Sequence, residues 1–166
     1  MIKFINWFSK YNITSKGMVL KMCLGNQKNF QEEKLKQNVE LEKKINFNLN
    51  KDQNKALDDL IKFGNKFSVS VLLGVTGSGK TLVYFKRIKK IIDQNKQALI
   101  LIPEIFLTSQ FKERFENFFG YEPAIWHSKI TPKNKRQIWR SVVSNNVKII
   151  IGARSSLFLP FKNLGL

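Results

Sequence analysis

Gly74-Val75-Thr76-Gly77-Ser78-Gly79-Lys80-Thr81 decides the fold of this chain. It fits the pattern G-x-x-x-x-G-K-[ST], in which each residue type has a chemical reason. Gly77 and Gly79 have no Cβ, so the backbone can take unusual angles and approach a phosphate closely. Successive N–H groups then line an anion-binding hollow at the positive end of the next helix. Lys80 reaches the β- and γ-phosphates as a point charge, and Thr81 can offer its hydroxyl to a bridging Mg²⁺. The flanks agree with the motif. Val69-Ser70-Val71-Leu72-Leu73 predicts a short buried strand, and Leu82 to Ile92 predicts a helix. The plain alternative, a glycine-rich turn that binds nothing, would not need this strand–loop–helix order.

Working outward, Asn50 predicts the cap of a helix with Ala56, Leu57, Leu60 and Ile61 on one side. Gln53 lies in its first turn. An amide placed shortly upstream of such a loop can read an adenine edge, since it offers a donor and an acceptor, or it can be an ordinary surface residue. After the loop, Ala98 to Ile102 is a continuous apolar run ended by Pro103-Glu104. A helix with Phe106, Leu107, Phe111, Phe115 and Phe118 on its inner side is expected next, stopped by Gly120. Ala124-Ile125-Trp126 predicts a short strand entering His127-Ser128. Thr131-Pro132 opens a helix with Ile138, Trp139 and Val142 inward. Val147 to Ile151 predicts another buried strand, closed by Gly152. This alternation predicts an α/β fold with a parallel sheet covered by helices on both faces. Functional loops then belong at the carboxyl ends of the strands. The P-loop, Pro103-Glu104, His127-Ser128 and Gly152-Ala153-Arg154-Ser155 all fall there.

Residues 1–24 predict a small helical module. Phe4, Ile5, Trp7, Phe8 and Tyr11 recur at helical spacing, and Ser15 can cap a second helix carrying Met18, Val19, Leu20 and Met22. These apolar stripes are expected in the core. Residues 25–48 are rich in Asn, Gln, Lys and Glu and are expected to be a linker or variable region, followed by the main domain over 49–166.

The formal charge is +17. Such a balance points to a polyanionic partner, most simply nucleic acid. The 24 lysines and 16 asparagines are equally what an AT-rich coding sequence would produce, so the charge leaves both readings open. One cysteine, Cys23, excludes an internal disulfide and suits a reducing, cytoplasmic setting. No apolar run is long enough to span a bilayer.

Several stretches resemble the PriA family of replication-restart DNA helicases, also called primosomal protein N′. They are Val71 to Thr81, Pro103-Glu104-Ile105 with Leu107, Thr108 and Gln110, His127-Ser128, and Ile151-Gly152 with Arg154, Ser155, Leu157 and Phe158. Pro160 to Leu166 and Phe4-Ile5-Asn6-Trp7 with Gly17 to Met22 match as well. The P-loop alone is as close to UvrB-type excision-repair ATPases; Pro103-Glu104-Ile105 separates the two. The resemblance implies a RecA-like lobe, incomplete here, preceded by part of a winged helix. It implies a 3′–5′ DNA helicase using ATP and Mg²⁺, with DNA, primosome proteins and single-strand-binding protein as partners. Gly74 to Thr81 would bind the nucleotide, Gln53 would contact adenine, and Thr81 would hold Mg²⁺. Pro103, Thr108, Gln110, Arg154 and Ser155 would grip DNA. Leu82, Lys129 and Ala153 depart from the family, which usually has Glu, Gly and Thr there. The family's Walker B carboxylates and zinc-binding cysteines have no counterpart among these residues. The isolated chain is therefore expected to bind nucleotide or DNA without useful ATP hydrolysis or unwinding.

Overall fold

The computed structural model describes residues 1–25, 47–62 and 66–166. Most of the linker expected over 25–48 lies outside the described residues. Two helices open the chain, α1 (Ile2–Tyr11) and α2 (Lys16–Leu24), the second capped by Ser15, whose hydroxyl accepts from the Met18 N–H at 3.3 Å. Then come α3 (Lys51–Lys62), α4 (Lys80–Asp93), β1 (Ala98–Leu101), α5 (Ser109–Phe119), β2 (Ala124–Trp126), α6 (Pro132–Val143) and β3 (Ile149–Gly152). Short 3-10 turns cover Glu104–Phe106 and Arg154–Phe158.

The sheet is parallel with order β1-β3-β2. β3 is central and fully buried, as the unbroken run Ile149-Ile150-Ile151 requires. Its two faces bury different helices. Ile149 and Ile151 join Ala98, Phe85, Ile88, Phe115 and Phe119 under α4 and α5. Ile150 packs with Ala124, Ile138, Val142, Val147 and Leu159 under α6. The aromatic side of α5 packs edge-on, with Phe85 and Phe115 centroids 5.8 Å apart at 86°. Thr108 and Thr131 cap α5 and α6, and Gly120 ends α5 in the left-handed conformation. The α/β architecture of an incomplete RecA-like lobe is therefore observed, with helices on both faces.

Gln97 fastens the outer edge of β1. Its Nε2 donates to the carbonyls of Val142 at 3.0 Å and Val147 at 2.9 Å. Its Oε1 accepts from the N–H of Lys162 at 2.9 Å and Asn163 at 3.2 Å. The backbone continues the seam: Gln97 N–H bonds Asn163, Gly165 N–H bonds Gln97, and Leu99 N–H bonds Leu166, each at 2.8 Å.

Three expectations are corrected. Val69 to Leu73 joins no ladder among the described residues, and Val69, Val71 and Leu73 are exposed. Apolar content alone does not make a strand: β3 has neighbours on both sides and residues 163–166 hold the outer edge of β1, so neither offers this stretch a partner. Phe106 is 61 % exposed and precedes α5, because Thr108 starts that helix two residues later. In the N-terminal module only Ile5, Val19 and Cys23 are buried, with Phe4, Phe8 and Phe158 packed against them. Trp7, Tyr11, Met18, Leu20 and Met22 are exposed, since two short helices have too little partner surface to cover every apolar face.

Candidate functional site

The P-loop is shaped by its glycines. Gly77 and Gly79 have φ of +84° and +80°, where another residue would cost about 1–2 kcal/mol. Gly79 also faces the Gln53 amide so closely that a Cβ would collide with Nε2. At Gly74 a Cβ would lie 2.7 Å from the Ser78 hydroxyl. The loop turns through a Ser78 N–H bond to the Val75 carbonyl at 3.2 Å, and Val75 is exposed at its tip. The N–H groups of Thr76, Gly77, Gly79, Lys80 and Thr81 bond no described residue. They stand at the N-terminus of a 14-residue helix, where anions are favoured.

Lys80 curls back into the loop. Its ammonium donates to the carbonyls of Gly74 at 2.5 Å and Val75 at 2.8 Å. Thr81 hydrogen-bonds the Tyr84 hydroxyl, whose pKa is pushed up by burial against the opposing effects of Thr81 and Arg114. Gln53 joins the loop to α3. Its Nε2 donates to the Ser78 carbonyl at 3.0 Å, while its Oε1 accepts from the Asn50 N–H at 3.0 Å. Asn50 Oδ1 accepts in return from the Gln53 N–H at 2.8 Å, closing a capping box.

The second group gathers at the carboxyl ends of the strands. The Ile102 N–H bonds the Gly152 carbonyl at 3.1 Å, and the Ala153 N–H bonds the Trp126 carbonyl at 3.3 Å. Gly152 has no room for a Cβ, which would lie 2.7 Å from both the Trp126 carbonyl and the Ser156 side chain. Ser156 is buried and donates to the Ala153 carbonyl at 2.6 Å. This pinning leaves Arg154 and Ser155 exposed. Pro103 and Arg154 line opposite sides of a cleft of about 520 Å³. Thr108 Oγ1 accepts from the Phe111 N–H at 3.2 Å and keeps its own proton to donate; Gln110 is exposed in the first turn of α5. His127 Nδ1 accepts from the Lys129 N–H at 3.2 Å, a loop-shaping bond. The structure thus brings Gln53 to the P-loop, and Pro103 to Arg154. Among the described residues no hydrogen bond links the two groups.

Tyr84, Gln97 and Ser156 support these sites and were not singled out by sequence reasoning. Gln97 carried a signal, a polar residue abutting a buried apolar run. Ser156 carried none, because its role depends on the close approach of Gly152.

Comparison with known proteins follows the same lines. A family described as "Type III restriction enzyme, res subunit" matches residues 46–164. Replication restart protein PriA of Rickettsia conorii is 40% identical over 171 residues, covering 100% of this chain and 25% of that protein. PriA of Helicobacter pylori is 42% identical over 118 residues, covering 71% of this chain and 18% of its own length. PriA of Bacillus subtilis is 42% identical over 102 residues, 61% of this chain and 13% of that protein. The chain spans about a quarter of the length of the Rickettsia relatives it matches. It belongs to the helicase family described as type III restriction enzyme, res subunit, and its similarity to these relatives is that of a PriA-type replication-restart protein.

Proposed function

We propose that this chain supplies the nucleotide-binding part of an ATP-dependent 3′–5′ DNA helicase of replication restart, and that it binds both ATP and DNA. One observation carries the nucleotide reading. Two left-handed glycines shape a loop whose N–H groups bond no described residue, at the start of α4 beside the Lys80 ammonium. Those donors fit a polyphosphate. In the bound state Gly74, Val75, Thr76, Gly77, Ser78 and Gly79 wrap the phosphates. Lys80 exchanges the two loop carbonyls for phosphate oxygens, which bear more charge. Thr81 would offer its hydroxyl to a bound Mg²⁺. Mg²⁺ would neutralise charge on the β- and γ-phosphates. Among the described residues no cluster of three or more His, Cys, Asp or Glu could hold a metal, so the cation would enter with the nucleotide.

Gln53 has a dual role in this proposal. It braces the loop through Ser78 and keeps one amide hydrogen and one lone pair for an adenine edge. For DNA, Pro103, Thr108, Gln110, Arg154 and Ser155 form an exposed rim at the strand ends, suited to phosphates and indifferent to sequence. Residues 1–24 are assigned as a partial winged-helix-like module and 49–166 as the N-terminal part of the lobe. Primosome and single-strand-binding proteins are the proposed partners, in the cytoplasm. No helix among the described residues is long and apolar enough to cross a membrane.

The test is calorimetric titration of the chain with Mg·ATP. Lys80→Ala is expected to weaken binding at least ~10-fold with an unchanged circular dichroism spectrum, the loss of roughly one charge-assisted contact. Equal affinity of Lys80→Ala and the parent chain would sink the nucleotide reading.

A further inference from the structure

Acidic residues are not spread evenly. Residues 60–92 carry none, and neither do two further stretches, residues 1–25 with four lysines and residues 123–166 with eight lysines or arginines. The fold packs these two stretches together. Phe8 meets Phe158 edge-on at 5.1 Å, Phe158 packs on the Ile5, Val19 and Cys23 cluster, and the Trp139 indole donates to the Cys23 carbonyl at 2.7 Å.

That seam holds a cleft of about 400 Å³, the size of a small-ligand site. Trp126, Trp139 and Phe158 supply aromatic surface, and Lys21, Lys135 and Arg136 supply charge. Lys135 donates one of its three hydrogens to the Ser128 carbonyl at 3.1 Å and keeps two. Among the described residues no acidic side chain lines the cleft. Trp126 ends β2, and Phe158 ends the 3-10 turn that begins at Arg154, so the cleft adjoins the rim at the strand ends.

We infer that this seam is a binding site for single-stranded DNA, which stacks a base against the aromatic surface and sets its phosphates on Lys21, Lys135 and Arg136. An uncharged protein or lipid occupant would use the rings but leave three cations without counter-charge. A strand uses both, and stacking on aromatics beside cations is how sequence-indifferent single-strand sites work. The site rests on the DNA reading above but involves none of the rim residues proposed there, and is independent of the P-loop.

The test uses the full chain carrying Trp7→Phe, so that all tryptophan emission comes from Trp126 and Trp139, the two that line the cleft. Titration with a ten-nucleotide thymidine oligomer is expected to quench that emission to saturation. In labelled-oligomer anisotropy, Lys21→Glu with Arg136→Glu is expected to weaken binding at least ~10-fold and to lower the salt slope by about 1.4, two phosphate contacts on a single strand. Lys66→Glu with Lys90→Glu removes the same charge from exposed positions elsewhere and is expected to bind within about twofold of the parent chain. Equal loss in both double variants would overturn the inference in favour of diffuse attraction. Loss on Arg154→Ala with Ser155→Ala but not on Lys21→Glu with Arg136→Glu would overturn it while leaving the rim reading intact. Equal quenching by adenosine monophosphate at the same concentration would mean a free-nucleotide site and overturn the strand assignment. No binding by the parent chain would sink both readings.

Discussion

Gln53 and Gln97 show what a single amide does when both of its ends are engaged. In the sequence, Gln53 stood out by position, and two roles were open for it. The structure adds a third that position could not show: it closes a capping box with Asn50 and braces Ser78 of the P-loop. Gly79→Ala tests that brace. The substitution forces a left-handed alanine and drives a methyl into the Gln53 amide. We expect it to cost about 1–2 kcal/mol of stability from the backbone alone, and to lower Mg·ATP affinity further by disarranging the loop. Retained stability and affinity in a paired denaturation and titration experiment would refute the brace. Gln97 is fully buried, and its two donors and two acceptor positions are all used. Gln97→Leu leaves the Val147 carbonyl and the Lys162 and Asn163 N–H groups without a partner, while the Val142 carbonyl keeps the Asn145 N–H. With roughly 1–3 kcal/mol for each buried unsatisfied group, a loss of at least about 3 kcal/mol is expected, seen as a lower urea midpoint at unchanged slope. A shift within about 0.5 kcal/mol would show that water replaces the amide there.

At the scale of elements, legibility followed whether an element's partner was local. Capped helices carried their own boundaries: Ser15, Asn50 and Thr131 each accept from an N–H three residues on, as their types foretold, and Thr108 does the same where the sequence had placed the helix start earlier. Ile149 to Ile151 declared a central strand by being apolar at every position. Val69 to Leu73 is apolar at all but Ser70 and joins no ladder among the described residues, because pairing depends on tertiary neighbours that the stretch itself does not encode. The same limit applied to the N-terminal module. Helical spacing correctly foretold α1 and α2, but which of their residues are covered depends on Phe158, far along the chain. The module's attachment is measurable through Cys23. Its thiol is 2 % exposed, and burial raises its pKa. At neutral pH it is therefore less ionised than a free thiol and shielded from reagents. We expect slow alkylation by iodoacetamide in the native chain, accelerated at least ~5-fold by Phe158→Ala, which opens a cavity worth about 3–5 kcal/mol against the module. An unchanged rate would mean that α1 and α2 hold together without the lobe.

The whole molecule opposes two surface forces. Phe67, Val69, Val71, Leu73 and Val75 form an exposed apolar run at 78–96 % relative exposure, and residues 67–73 join no ladder among the described residues. Such a segment templates pairing with another chain. Against it stands a net charge of +17, which keeps copies apart. Ionic strength decides between them. Charge repulsion acts over about 30 Å at 0.01 M salt but only about 3 Å at 1 M, whereas burial of apolar surface does not weaken on adding salt. Self-association is therefore expected to increase with salt, the reverse of what ion pairing would give. Sedimentation at low salt should show a 19.4 kDa monomer. At about 0.5 M salt, where the screening length falls to a few ångströms, the apparent mass should rise with protein concentration. Val71→Lys with Leu73→Lys should abolish that rise and leave stability within about 0.5 kcal/mol, because both side chains already face solvent. A parent chain that stays monomeric at high salt would show that this run is not an adhesive edge. Loss of stability in the double variant would show that its apolar residues are held by contacts that their exposure does not reveal.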